Sequence, residues 1–334
     1  MTTATASSTL AGSHPDLSVI VLTYNRARLL PDCLDSLVAQ TYPAERLEIV
    51  VADDGSSDVT PDVVAAYSRR HAQVRSVRHE HRGIPATRNL GLRHARGAIV
   101  AIVADDYILD PSYAERVVRF FLENADARII RFGIVPARYD AGSRVSHSYY
   151  RASVLRGLAM AVDPAPLRRT PEVPGEPTTR HELDASGAAA FRREVFEQVG
   201  VFDESLARAE DSDLTVRLRR AGIPIHFDPN HPVRHQYDPY LRDTLVKSWL
   251  TGWYRYHHRR KNTEPEGALR AGSGLLAKKV SALRAALRAE RSEGTTAWFV
   301  VGLPLLLLFE ATNKAGFACS WLYDRILPKV GGRL

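Results

Sequence analysis

The strongest constraint on the fold is the run Ala98-Ile99-Val100-Ala101-Ile102-Val103-Ala104, which passes at once into Asp105-Asp106. A short, uninterrupted apolar run of this kind reads as a strand covered on both faces, as in a parallel sheet. The pattern recurs. Leu17 to Thr23 is nearly continuous and passes into Tyr24-Asn25-Arg26, and Leu47 to Ala52 passes into Asp53-Asp54-Gly55-Ser56-Ser57-Asp58. Between these runs Leu30, Leu34, Leu37 and Val38 fall at helical spacing. Thr60-Pro61 reads as an N-cap with proline at the first helical position. Val74 to His79 is a third strand, and a helix from about Ala86 to Arg96 stops at Gly97. Pro111-Ser112 opens a further helix, and Ile129 to Val135 forms the next strand. Strand and helix alternating in this way predict an α/β fold, a mostly parallel sheet with helices on both faces. Ligands of such sheets bind beyond the carboxyl ends of the strands.

The regular pattern fails from Tyr139 to Glu182, where five prolines fall between Pro164 and Pro177. A segment this long without its own pattern is usually functional. Order returns with Ala185 to Phe191, a helix near Arg193 to Val199, and a helix from about Asp211 to Arg220 that Gly222 is placed to end.

At 334 residues the chain is long enough for about two domains and for burying roughly three quarters of its unfolded surface. Apolar residues make up 45% and charged residues 25%, which excludes a disordered or fibrous protein. Cys33 and Cys319 are the only cysteines, which excludes a disulfide framework and favours free thiols in a reducing compartment. Met1 to Ser13 lacks Lys and Arg and has no apolar core, so it reads as a loose arm and not a signal or transit peptide.

Charge is concentrated late in the chain. Arg255 to Arg291 carries ten Lys/Arg against three Glu, an excess equal to the net +7 of the whole chain. No base-reading or stacking motif accompanies it, which argues against nucleic acid and for a membrane surface or an anionic acceptor. Leu276, Val280, Leu283 and Leu287 form one apolar helix face among Lys278, Lys279, Arg284, Arg288 and Arg291. A basic amphipathic helix suits an anionic membrane surface; a helix docked on the body of the protein is the alternative. The uncharged run from Ala297 to Phe309 is 13 residues long and contains Pro304. A spanning helix needs about 20 apolar residues. The run therefore reads as an interfacial or re-entrant element, with a buried dimer contact as its competitor.

Carboxylates placed directly after buried strands are costly to bring together unless a cation neutralises them. Each acidic cluster alone could be a turn or a helix cap. Three clusters that follow strands at one sheet edge, Thr23 to Arg26, Asp53 to Asp58 and Ala104 to Tyr107, are harder to dismiss, and a fourth, Ala209 to Leu214, opens a helix. Asp105-Asp106 suggests hard oxygen ligands for Mg²⁺ or Mn²⁺, and such a cation would carry a diphosphate. Arg88 could contact the same phosphates or the nucleoside.

The order of the motifs resembles that of the family 2 glycosyltransferases, nucleotide-sugar-dependent enzymes of the GT-A fold. The matching pieces are Ser18 to Arg26, Val51 to Asp58, Ala86-Thr87-Arg88-Asn89-Leu90-Gly91, Ile102 to Asp106 with Pro111 five positions later, Gly200-Val201-Phe202-Asp203-Glu204, and Glu210-Asp211-Ser212-Asp213-Leu214. The resemblance covers about Leu17 to Tyr237. It implies that Thr23, Tyr24 and Asn25 line a nucleotide pocket. Asp54 would accept hydrogen bonds from the base with Asp53 nearby, and Arg88 would sit against the nucleotide. Asp105 and Asp106 would be the family's metal motif, normally Asp-x-Asp. Alignment on Pro111 puts the last Asp of that motif at Asp106 and its first at Ala104, a departure by one carboxylate. His235 falls where relatives supply a further metal ligand. Asp211 matches the catalytic base, Glu210 would orient it, and Gly187 would lie where the acceptor site meets the donor sugar.

A carboxylate base fits the chemistry. Transfer with inversion needs the acceptor hydroxyl deprotonated as it attacks the anomeric carbon opposite the departing diphosphate. A carboxylate at a helix start is kept ionised by the helix dipole. The implied organisation is a loose arm at 1–16, a GT-A domain at 17–240 and a helical, basic and apolar extension at 241–334. The GT-A domain divides into a nucleotide half at 17–136 and an acceptor half at 137–240. The implied partners are a nucleotide-sugar donor, UDP being the commonest nucleotide, and a glycan or lipid-linked acceptor, met by a cytoplasmic protein held peripherally at the inner membrane face. Two rivals follow from the same residues. One is a catalytically silent GT-A homologue, motivated by Ala104. The other is a nucleotidyltransferase, opposed by Thr23-Tyr24-Asn25-Arg26 in place of a glycine- and Lys/Arg-rich loop.

Overall fold

A computed structural model describes residues 15–137, 178–180, 183, 187–236, 241–262, 308 and 311–323. The elements in chain order are β1 (Leu17–Thr23), α1 (Leu30–Val38), β2 (Leu47–Asp53), α2 (Thr60–Arg70), β3 (Val74–Arg78), α3 (Ile84–His94), β4 (Ile99–Ala104), β5 (Tyr107–Ile108), α4 (Tyr113–Glu123), β6 (Ile129–Pro136), β7 (Thr178–Arg180), β8 (Ala188–Arg192), α5 (Glu194–Val199), α6 (Glu210–Arg220), β9 (Ile225–His235) and α7 (Leu241–Asn262). Residues 311–323 form a further helix, α8.

The nine strands form one sheet in the order β3-β2-β1-β4-β8-β6-β9-β5, with β7 paired to β9. β1, β2, β3 and β4 are parallel. β8 runs antiparallel to both β4 and β6, whereas β9 runs parallel to β6. Every residue of β2 is buried, as its apolar run predicts. The strands divide their side chains between two cores. Val19, Val21, Ile49, Val51, Ala101 and Val103 meet α1 and α4 on one face. Ile20, Val50, Val100 and Ile102 meet Leu92, Phe191, Phe196, Phe202, Leu214 and Leu218 on the other. α3 lies so close to β1 that a Cβ on Gly91 would run into the Ile20 side chain.

The helix starts differ from the sequence reading in small, explicable ways. α3 begins at Ile84, because Gly83 adopts φ +88° and Pro85 takes the first turn; it ends at His94, short of Gly97. Thr60 is already helical, behind Val59 at the N-cap position, and its N–H donates to Asp58 Oδ1 at 2.9 Å. Gly222 follows α6 at φ +68°, as expected.

β9 is not foreseen in the sequence, whereas α7 falls within the stretch expected to be helical. β9 contains Pro229 and Pro232, which obscure an alternation that is nevertheless present, Ile225 and Phe227 being buried and His226 and Asp228 less so. β7 falls inside the segment read as irregular. Both cysteines are free, Cys33 buried and Cys319 exposed. Among the described residues no helix is long and apolar enough to cross a membrane. Most of the arm, most of the proline-rich segment, the basic amphipathic face and all of the 13-residue apolar run except Leu308 lie outside the described residues.

Candidate functional site

The ends of β1, β2 and β4 come out on one edge of the sheet because the three strands are parallel and in close register. Thr23 pairs with Asp53, and Leu22 pairs with Ala104. The clusters after those strands are therefore neighbours.

The first two clusters are tied together by side chain to backbone bonds. Asn25 adopts φ +51°, a conformation asparagine tolerates better than most residues. Its N–H donates to Ser56 Oγ at 2.9 Å, and its Oδ1 accepts from the Ser57 N–H at 2.8 Å. Asp53 Oδ1 accepts from the Ser56 N–H and hydroxyl at 2.9 and 2.6 Å, and Asp53 Oδ2 faces Arg78 Nε at 3.3 Å. Asp54 is held more fully. Its carboxylate accepts from the N–H groups of Arg82 and Gly83 and is flanked by His79 Nε2 at 3.0 Å and His81 Nδ1 at 2.8 Å. The His81 ring stacks on Tyr24, 4.2 Å between centroids and 21° between planes, and Tyr24 keeps 41% of its surface exposed. An aromatic face thus stands open beside Asp54.

The third cluster joins β9. Tyr107 pairs in register with His235, and their rings meet edge to face at 5.0 Å. His235 Nε2 lies 3.3 Å from Asp106 Oδ2, and Arg26 Nη1 lies 3.4 Å from the same oxygen. Asp106 Oδ1 is buried with no hydrogen-bond partner among the described residues. Burial drives the Asp106 carboxyl upward, but the bond to His235 and the charges of His235 and Arg26 outweigh it and hold it low. Its neighbour Asp105 is pushed up, by burial first and then by the charge of Asp106, with Arg26 opposing. Thr23 is buried, and Cys33 Sγ lies 3.6 Å from the Ala104 carbonyl. A Cβ placed on Gly187 would stand 3.7 Å from Tyr107 Oη and 3.9 Å from Ala104 Cβ, so Gly187 borders the aspartate pair.

The fourth cluster meets α3. Glu210 and Asp211 open α6 after Ala209, a non-glycine residue in the left-handed region at φ +71°. Arg88 Nη1 lies 2.7 Å from Glu210 Oε1 and 2.8 Å from Asp211 Oδ1, and its guanidinium also covers the Phe202 ring at 4.9 Å. Asn89 donates to the Phe202 carbonyl and accepts from the Phe202 N–H. Three separate stretches, Ala86 to Gly91, Gly200 to Glu204 and Glu210 to Leu214, therefore form one contact. Glu210 is pushed above the ordinary carboxylate range by burial and then by Asp211, with Arg88 opposing.

The structure thus gathers Thr23, Tyr24, Asn25, Asp53, Asp54, Asp105 and Asp106 at the strand edge, with His235 and Gly187 beside Asp106, and links Arg88 to Glu210 and Asp211. Arg26, His79 and His81 make contacts that the sequence does not single out. Arg26 lies inside the stretch Ser18 to Arg26, and the two histidines belong to the loop before α3.

Among the described residues no group of three or more His, Cys, Asp or Glu side chains could hold a metal ion. The partial set of Asp106 and His235, with one buried carboxylate oxygen uncommitted, still suits Mn²⁺ or Mg²⁺. Such cations are commonly held by one or two carboxylates together with substrate phosphates.

Comparison with known proteins bears on the family and the fold. EpsJ of Bacillus subtilis (strain 168), described as an uncharacterized glycosyltransferase, is 26% identical over 259 residues, 73% of this chain and 70% of that protein. EpsH of the same organism is 31% identical over 118 residues, 35% of this chain, and the chain spans about a third of its length (34%). The mannosyltransferase PcManGT from Pyrobaculum calidifontis, solved with GDP-Man and Mn²⁺, aligns over 93% of this chain and 87% of its own at TM-score 0.56 and 24% identity. That likeness shows the GT-A fold. The sequence model of glycosyl transferase family 2 matches residues 18–200, more than half of the chain, and with it the chain belongs to that family of transferases.

Proposed function

We propose that the protein is an inverting glycosyltransferase that moves a sugar from a nucleoside diphosphate sugar, a UDP-sugar first among the donors to test, onto an acceptor hydroxyl. The observation that carries this reading is the Arg88 bridge, which brings the two acids at the start of α6 to the helix whose preceding loop, at Arg82 and Gly83, holds Asp54.

Asp211 is the base. Its carboxylate takes the proton of the acceptor hydroxyl as that oxygen attacks the anomeric carbon from the side opposite the diphosphate. The Arg88 guanidinium bonds the carboxylate and aims it, and Glu210 shares the same nitrogen. At the other end of the site, Tyr24 offers an aromatic face to a nucleobase, and Thr23, Asn25, Asp53 and Asp54 shape the pocket around it. Asp106 and His235 would hold the divalent cation, with Asp105 behind them, and Arg26 adds a fixed positive charge at the same place. A bound Mn²⁺ or Mg²⁺ supplies charge to offset the leaving diphosphate. The solved mannosyltransferase with GDP-Man and Mn²⁺ supports this assignment of donor class and cation. Gly187 leaves room beside Ala104 for the acceptor. The acceptor is a lipid-linked or cell-surface glycan, met by a protein whose extension holds it to the inner membrane face.

The test is release of nucleoside diphosphate from UDP- and GDP-sugars with Mn²⁺, for the native protein and D211N. Turnover by the native protein and its loss in D211N, with nucleotide affinity retained, is the expected result. Turnover by D211N at the native rate removes Asp211 as base. Ala104 favours a second reading, a family member that binds donors without turning them over. Nucleotide binding with no turnover by the native protein against any donor or acceptor would establish it. Flotation with anionic vesicles, comparing the full chain with one ending near Tyr256, tests the membrane assignment.

A further inference from the structure

The family match ends at residue 200, before both α6 and α7, and α7, at Leu241–Asn262, packs back on the helix that carries the proposed base. Lys261 Nζ lies 2.7 Å from Asp213 Oδ1 and 2.5 Å from Asp203 Oδ2. Asn262 Nδ2 donates to the same Asp213 oxygen at 3.2 Å, while Arg217 Nε occupies the other at 2.9 Å. The Asp213 side chain is fully buried, so its charge depends on these three donors. Asp213 stands two residues after Asp211 in the first turn of α6, and its N–H closes that turn on the Ala209 carbonyl at 3.0 Å.

The first turn has an electrostatic problem. Glu210, Asp211 and Asp213 place three carboxylates within four residues. The helix dipole favours acids there, but like charges this close repel. Arg88 answers for the first two. Lys261 and Arg217 answer for the third, Arg217 from α6 itself and Lys261 from α7. The turn also follows a left-handed alanine, a backbone state that persists only where its surroundings enforce it.

We propose that Lys261 is a positioning residue for glycosyl transfer: by binding Asp213 and Asp203 together it fixes the first turn of α6 and so the aim of Asp211. The proposal rests on the reading of Asp211 as the base. The α7 segment then belongs to the working catalytic unit. Displacement of a reacting group by about 1 Å can cost on the order of a hundredfold in rate, with binding of the donor unaffected.

The experiment measures nucleoside diphosphate release from UDP-glucose, UDP-GlcNAc and GDP-mannose with Mn²⁺, using the full chain. Native protein, K261A, K261R and D211N are compared. Expected is a kcat for K261A lowered about 10- to 100-fold, a donor KM within about twofold of native, and recovery of most of the lost kcat in K261R. A K261A enzyme with native kcat overturns the proposal. So does a loss of kcat that K261R leaves in place, because a site that only needs a lysine for packing gives that pattern. If K261A does not fold, K261Q keeps one donor without the charge and is judged by the same criteria. D211N separates the two readings: an inactive D211N beside a native-like K261A removes Lys261 alone, whereas an active D211N removes the base on which the proposal stands.

Discussion

Arg88 and Asp211 are 123 positions apart in the chain, and the guanidinium of one bonds the carboxylate of the other at 2.8 Å. The Arg88 side chain is only 9% exposed, so this bond lies largely out of water. It holds a proposed base and joins α3 to α6 with the same atom.

Removal of that guanidinium has two separable consequences. R88A removes the donor that holds Asp211 in place, so donor turnover falls, by about 10- to 100-fold. Stability falls as well, by about 3 kcal/mol, because Glu210 is left buried without its partner. Urea denaturation reads the second effect and donor turnover the first. Native turnover in a folded R88A protein means Arg88 does not position the base.

The sheet was legible because each central strand announces itself as an apolar run, and the strand-end clusters follow from it. Parallel register then puts Thr23 beside Asp53 without further information. The pairing of His235 with Asp106 is less direct. It depends on β9 crossing to β5, and the prolines of β9 hide its alternation. The resemblance located His235, whereas the residues near it in sequence gave no reason to. Arg88 shows the opposite case. Its motif was plain, but its contact is with Glu210 and Asp211, acids more than a hundred positions away. Lys261 lay beyond reach of pattern altogether, since one lysine in a basic stretch looks like any other until the fold chooses its partner.

D106A and H235A test the cation assignment separately from transfer. Asp106 offers a buried, uncommitted oxygen, and His235 stands 3.3 Å from its other oxygen. Outer contacts of metal ligands are commonly worth 10- to 100-fold in affinity, so loss of either ligand lowers Mn²⁺ affinity by at least about tenfold. Calorimetry of Mn²⁺ binding in the presence of a nucleoside diphosphate measures this directly. Arg26 acts in the opposite sense on free metal, because its charge lies 3.4 Å from Asp106 and competes with a cation there. R26A therefore binds Mn²⁺ alone more tightly than native protein does. Weaker binding in R26A would mean that the arginine supports the cation.

The link between α7 and the body of the protein is sensitive to acid, with a definite sign. Burial alone would push Asp203 up, but the bonds from Lys261 and Ser205 outweigh it and bring the carboxyl down to about 2 from an ordinary 3.8. A carboxyl depressed on folding adds stability that is complete above its unfolded pKa and is lost as pH falls through its folded pKa. The contribution of Asp203 is therefore present above about pH 4 and disappears toward pH 2. Lys261 is raised, with desolvation opposed by its two aspartate bonds, so it stays charged through this range. D203N removes the acid-labile part. Its stability is lower than native at pH 6, by about 1 kcal/mol or less because the pair is partly exposed, and it falls less steeply between pH 4 and pH 2. Urea midpoints at pH 6, 4, 3 and 2.5 for the two proteins give the comparison. Parallel slopes across that interval would mean that Asp203 is not bound to Lys261 in solution.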